Sequence, residues 1–198
     1  MRRLVVGITG RAGSGKSRFC SFLKEKGWQI IEADRIGWDL LECDTVKQAI
    51  LEAFGRGVFE ADTISRTKLR EVVFVSRDKL KTLNRIVHPL LLKELKRRID
   101  GAKGGIIAVD AALIPQWGIG DWFYRVVLLR SNKWKEHLRT RGFPESVILG
   151  LDRTQKVIDD YEGPNVVVIE NNGTLEDLKM KADEFAERIN EVWFSHLH

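Results

Sequence analysis

The chain has 198 residues, 43% of them hydrophobic, and a formal charge of +5 from 33 basic and 28 acidic residues. That is the make-up of an ordinary globular protein, long enough to bury a substantial core as one domain with room for an inserted lobe. The basic residues are scattered rather than interleaved with aromatics, which argues against a nucleic-acid surface, and no run approaches the about 20 apolar residues of a membrane span.

The first predicted element is a short buried strand, Leu4-Val5-Val6-Gly7-Ile8-Thr9. It runs into Gly10-Arg11-Ala12-Gly13-Ser14-Gly15-Lys16-Ser17, which satisfies G-x-x-x-x-G-K-[ST] at every fixed position. Phe19, Phe22 and Leu23 then recur at helical spacing. Strand, loop and helix together make a phosphate-binding loop. Backbone N–H groups of Arg11, Ala12, Gly13, Ser14 and Gly15 are expected to converge on phosphate oxygens at a helix N-terminus. Lys16 is expected to reach the β- and γ-phosphates, and the Ser17 hydroxyl to ligate Mg²⁺. By itself the loop implies ATP or GTP; the chain has no N-K-x-D sequence, which argues against GTP.

The first helix is predicted from about Lys16 to Lys26, closing at Gly27, and Trp28-Gln29-Ile30-Ile31 forms a second strand. That strand delivers Glu32-Ala33-Asp34 at its carboxyl end, where ligands collect in an open parallel sheet. Asp34 has two readings, the N-cap of the next helix or a catalytic acid. From Asp44 to about Ile99 the pattern is helical with no convincing strand. Val46, Ile50 and Phe54 mark one helix, Leu69, Val72, Val73 and Phe74 a second, and Leu80 to Ile99 a longer stripe. Pro89 falls inside that stripe and predicts a kink or break there. The helical insert is either a substrate lobe or a purely structural one.

Gly104-Gly105-Ile106-Ile107-Ala108-Val109-Asp110 reads as a Walker B strand whose terminal Asp110 could hold Mg²⁺. Arg125 to Leu129 and Val166 to Ile169 supply the fourth and fifth strands. Between them lies a basic segment with Arg130, Lys133, Lys135, Arg139 and Arg141, then Gly142-Phe143-Pro144, then a helix ending near Gln155. Such a segment can be a solvated helix, or a lid that covers phosphates and excludes water with Arg139 and Arg141. An amphipathic helix from Leu175 closes the fold. His196 and His198 follow it without metal-ligand spacing, in a tail expected to be disordered. Cys20 and Cys43 lie far apart without a C-x-x-C partner, so neither zinc nor a disulfide is expected, and a cytoplasmic setting fits. The apolar run after Met1-Arg2-Arg3 is cut short at Gly10 and Arg11, unlike a secretory leader.

With these segments placed, the whole chain resembles the dephospho-coenzyme A kinase family of P-loop kinases. The resemblance is carried by Gly7-Ile8-Thr9-Gly10 leading into Gly13 to Ser17, Glu32-Ala33-Asp34-Arg35-Ile36, Arg66 through Leu69 to Phe74, His88-Pro89, the segment ending at Gln155, and Ile169-Glu170-Asn171-Asn172-Gly173. It implies an α/β, three-layer P-loop kinase fold with a five-stranded parallel sheet flanked by helices. Residues 1–198 would form one domain, with a helical substrate-binding insert at about 44–101 and a basic lid at about 132–160. The implied reaction is ATP- and Mg²⁺-dependent phosphorylation of the ribose 3′-hydroxyl of dephospho-CoA, giving CoA and ADP. By position, Asp34 matches the family's proposed base, Arg66 and His88 fall among acceptor contacts, and Asn172 falls among nucleotide contacts. Three positions depart from the family's pattern: Glu32 replaces the first Asp of Asp-Ala-Asp-x-Ile, Ala112-Leu113-Ile114-Pro115-Gln116 replaces Pro-Leu-Leu-Phe-Glu, and Asp152 stands where lids commonly carry Arg. Two other readings stay open at this level: a P-loop kinase of another small hydroxyl or nucleotide acceptor, and a nucleotide-dependent binding switch.

Overall fold

A computed structural model describes residues 2–195. The tail histidines His196 and His198 lie outside the described residues. In chain order, β1 (Arg3–Gly10) is followed by α1 (Lys16–Glu25), β2 (Gln29–Glu32), α2 (Ala33–Leu40) and α3 (Asp44–Phe54). Next come the short strands β3 (Phe59–Glu60) and β4 (Thr63–Ile64), then α4 (Arg66–Phe74), α5 (Arg77–Gly101) and β5 (Gly105–Asp110). A short α6 (Ile114–Trp117) leads to β6 (Arg125–Arg130); α7 (Trp134–Thr140) and α8 (Glu145–Asp159) lead to β7 (Val166–Glu170); α9 (Leu175–Ser195) ends the described chain.

Five of these strands make one sheet in the order β2-β5-β1-β6-β7, and every pairing within it is parallel. A parallel strand covered on both faces reads as a continuous apolar run rather than an alternating one. That is why Ile106 to Val109 and Val126 to Leu129 are buried throughout. Alternate side chains nevertheless serve different layers. Val6, Ile8, Ala108, Val127 and Leu129 pack with Phe19 and Leu23 of α1 and Phe185 and Ile189 of α9. Val109 and Val126 face the opposite layer with Ile36, Ile114 and Phe123. Burying Phe19 or Leu23 completely stabilises the fold by about 1.5–3 kcal/mol each. Gly7 is small of necessity, because a Cβ there would lie 2.8 Å from Ile114 Cδ1.

The register matters for chemistry. Ile8 of β1 and Glu32 of β2 both pair with Asp110 of β5, so the phosphate loop, the Glu32-Ala33-Asp34 turn and Asp110 emerge at one edge of the sheet. The 44–99 region departs from its all-helical expectation, since β3 and β4 form a small antiparallel hairpin between α3 and α4. Pro89 does not break the helix: α5 runs without interruption over 25 residues. Both Pro89 and Arg85, whose carbonyl loses its helical donor, lie on the exposed face, where water can replace the missing bond. The N-terminus of α9 is closed by a reciprocal cap. Thr174 Oγ1 accepts from the Asp177 N–H at 3.2 Å, and Asp177 Oδ2 accepts from the Thr174 N–H at 2.7 Å.

Candidate active site

Gly13 and Gly15 occupy left-handed backbone angles, φ +82° and +102°, that let the loop curl around the start of α1. A Cβ on Gly13 would also run into the Trp134 carbonyl, so α7 sits directly against the loop. No side chain caps the N-terminus of α1, which leaves its first-turn N–H groups for an anion. Lys16 is buried, and its Nζ donates to the carbonyls of Gly10 and Arg11, both at 3.0 Å. The ammonium is thus held at the mouth of the loop.

Ser17 Oγ donates to Asp110 Oδ2 at 3.2 Å, joining the start of α1 to the end of β5. Burial pushes the Asp110 carboxyl up to about 6; Lys16 and the Ser17 hydrogen bond oppose the rise, and the charges of Asp34 and Glu32 add to it. Asp34 and Glu32 thus both stand in electrostatic reach of Asp110, which gathers carboxylates beside an anion-binding loop. A hydroxyl and a carboxylate at this spot suit a hard cation. No cluster of three or more His, Cys, Asp or Glu converges as a metal cage among the described residues, so such a cation would draw its other ligands from phosphate and water.

The loop opens into a cleft of about 1120 Å³ bounded by α2, α4, α5, α7 and α8. Lys16, Arg18, Arg66, Arg70 and Arg141 line it against only Asp34 and Asp110, so the cleft is built for polyanions. Asp34 is exposed to it. The acid lies in the first turn of α2 and not at the N-cap, a position taken by Glu32 without a side-chain cap. Across the cleft Arg66 stacks over Trp38 at 4.8 Å, and His88 meets Trp117 edge-on at 5.6 Å. Burial lowers the His88 pKa, keeping the ring neutral at pH 7.

Comparison with known proteins adds to this geometry. The family model described as dephospho-CoA kinase matches residues 4–177. The chain belongs to the dephospho-CoA kinase family. A dephospho-CoA kinase from Fusobacterium nucleatum is 31% identical over 197 residues, covering 96% of this chain and all of that relative. One from Dehalococcoides mccartyi is 34% identical over 186 residues, covering 88% of this chain and 92% of the relative. Among solved structures, the dephospho-CoA kinase from Campylobacter jejuni superposes with a TM-score of 0.66 at 18% identity, over 96% of this chain and 98% of its own. At that identity the likeness speaks for the fold.

In this dephospho-CoA kinase family member the structure brings Ala12, Gly13, Gly15, Lys16, Ser17, Asp34, Arg66, His88, Asp110 and Arg141 around one cleft. Four expected residues stay outside its lining. Arg11 turns away from the cleft to Asp152 and Asp159 of α8, each at 2.6 Å, and stacks over Trp134 at 4.9 Å. Ser14 is buried behind the loop. Arg139 is exposed and forked onto Glu145 at 3.0 and 2.8 Å. Asn172 accepts from the Asn132 N–H at 2.8 Å, which ties down the start of the β6–α7 connection. Its neighbour Asn171 is the one at the loop, donating to the Ser14 carbonyl at 2.9 Å. A strand-parity signal could have found it, because Asn171 lies two residues beyond Ile169, which faces α1 and α9. Residue reading also missed that His137 Nδ1 sits 2.8 Å from the Gly13 carbonyl, and that Gln155 accepts from the Ala12 N–H at 2.8 Å. Asp152 joins Arg11 of the phosphate loop to Lys135 of α7.

Proposed function

We propose a division of labour in this cleft for the family's reaction. The chain is an ATP-dependent phosphotransferase of CoA biosynthesis that phosphorylates the ribose 3′-hydroxyl of dephospho-CoA, giving CoA and ADP. The β- and γ-phosphates of ATP lie on the loop N–H groups and the α1 N-terminus, with Lys16 Nζ pairing their oxygens. Ser17 and Asp110 would hold Mg²⁺, and the charge neutralisation it would supply is what a phosphate in transfer needs. Asp34 accepts the proton of the acceptor hydroxyl. Residues of the 44–101 insert, with Arg66 and His88, form the acceptor lobe. The α7–α8 segment is the lid, and within it Arg141 faces the phosphates while Arg139 serves the lid's own structure through Glu145. The reaction proceeds in the cytoplasm, as its unpaired cysteines suit.

The observation that carries this reading is the convergence of Lys16, Ser17, Asp110 and Asp34 at one sheet edge that opens on a basic cleft. Phosphoryl transfer asks the protein chiefly for position and charge. Alignment of the reactants can contribute about 7–11 kcal/mol, against roughly 10²–10⁴-fold from a general base. Asp34→Asn is therefore expected to lower kcat by about 10²-fold or more while the KM for ATP stays within about twofold. An unchanged kcat in steady-state assays would remove Asp34 from the chemistry.

A further inference from the structure

Arg70 and Arg141 approach each other from two sides of the cleft, one from α4 and the other from the turn after α7. Their guanidinium carbons lie 5.1 and 5.5 Å from the centroid of the same ring, Phe143. Neither side chain has an ion-pair or hydrogen-bond partner among the described residues. That sets them apart from Arg11, Arg98 and Arg139, which all close on carboxylates. Arg70 is half-buried; burial lowers its pKa, Arg141 lowers it further, and Asp34 pulls the other way. It therefore stands in electrostatic reach of both the lid cation and the acceptor-side acid. Like charges gathered in a partly dry place repel unless an anion joins them. The helix that carries Arg70 is itself packed closely, since α8 presses on the end of α4, where Gly150 leaves no room for a Cβ beside the Phe74 backbone.

We infer that Arg70 and Arg141 form a two-arginine clamp on a phosphate group of a bound substrate, closed over Phe143, with Arg70 supplying a cation from the lobe side. Two planar forks suit a tetrahedral anion with several free oxygens, and stacking on an aromatic ring holds a guanidinium in plane for that contact. The inference rests on the reading of the cleft as a dephospho-CoA kinase site. Two phosphates satisfy its chemistry: the diphosphate of dephospho-CoA and the terminal phosphate of ATP.

The test uses the full chain with Arg70→Gln, Arg70→Lys, Arg141→Gln and the Arg70→Gln/Arg141→Gln double variant. It combines steady-state kinetics in both substrates, calorimetric titration with inorganic pyrophosphate, and thermal unfolding. Loss of charge-assisted hydrogen bonds predicts a fall of about 10- to 100-fold in kcat/KM for Arg70→Gln. Arg70→Lys restores part of it, and the double variant loses less than the product of the single losses. A raised KM for dephospho-CoA alone assigns the clamp to the acceptor diphosphate; a lowered kcat with both KM values kept assigns it to the phosphate in transfer. The clamp is overturned if Arg70→Gln keeps both kinetics and pyrophosphate affinity within about twofold of the parent, if the two losses multiply independently, or if the loss follows a fall in Tm that Arg70→Lys does not share. Should the parent leave dephospho-CoA unphosphorylated, the acceptor assignment fails; weakened pyrophosphate binding by Arg70→Gln would still uphold the clamp.

Discussion

Arg11 offers a sharp test of how the α7–α8 segment is held on the phosphate loop. Its side chain is only 8% exposed, and it bridges Asp152 and Asp159, which are 34% and 42% exposed, at 2.6 Å each. Replacing it by Met keeps much of the packing on Trp134 but removes both ion pairs. Breaking a fully buried pair costs about 3–5 kcal/mol, whereas exposed pairs contribute about 0–1 kcal/mol. With carboxylates this accessible, screening brings the expected loss to about 1–2 kcal/mol, or about 3–6 °C in Tm for a chain of this size. Lys135 stays on Asp152 at 2.5 Å and keeps part of the network. Lys135 first and then Arg11 hold the Asp152 carboxyl below its ordinary range. A depressed carboxyl contributes stability above its unfolded pKa, and that contribution is lost as the pH falls through the folded value. The gap between parent and Arg11→Met should thus be full at pH 7 and narrow below about pH 4. Thermal unfolding across pH, with limited proteolysis of residues 132–160, reads both effects. An identical Tm at pH 7 with unaltered cleavage would refute the latch.

Lys16→Ala removes the cation at the loop's mouth and is expected to lower turnover by at least about 10³-fold with the fold intact by circular dichroism; retained turnover would contradict the phosphate-loop assignment. Asp110 has its carboxyl raised to about 6, so its ionised form is disfavoured in the folded state and stability falls as pH rises from about 4 through 6. Asp110→Asn should therefore raise the Tm of the ligand-free protein at pH 7.5, with the gain vanishing near pH 4, and should abolish stabilisation by Mg²⁺ with ATP; no pH-dependent gain would count against the burial argument. Asn171→Ala loses the hydrogen bond to the Ser14 carbonyl and is expected to raise the KM for ATP about 5-fold, the equivalent of about 1 kcal/mol, while Asn172→Ala stays within about twofold. Steady-state kinetics on the two variants check this, and the reverse order would overturn it.

What the sequence made legible follows from where local pattern alone determines structure. The loop from Gly10 to Ser17 is contiguous, so its glycines, its lysine and its flanking strand and helix all stand within one window. The apolar run ending at Asp110 gives away a buried parallel strand and the shorter Ile30-Ile31 run a half-covered edge strand beside it, and with them the acids Asp110 and Glu32 at their carboxyl ends. Pro89 was harder, because whether a proline breaks a helix depends on which face it occupies; here that face is exposed and the helix continues. The hairpin at Phe59 to Ile64 spans too few residues for any period to register. Arg139 and Arg141 are indistinguishable by composition. Their fates separate only in three dimensions, where Glu145 captures the first and the cleft receives the second. The same holds for Arg11, whose partners lie some 140 residues further along the chain.

The most direct measurement is product analysis after incubation of the purified chain with ATP, Mg²⁺ and dephospho-CoA, by mass spectrometry with phosphorus NMR to locate the new phosphate. The account predicts CoA phosphorylated at the ribose 3′-oxygen and ADP in equal amounts, with both lost on removal of the metal. Dephospho-CoA left unmodified while a nucleoside monophosphate or another hydroxyl acceptor is phosphorylated, or while ATP is merely hydrolysed, would contradict it.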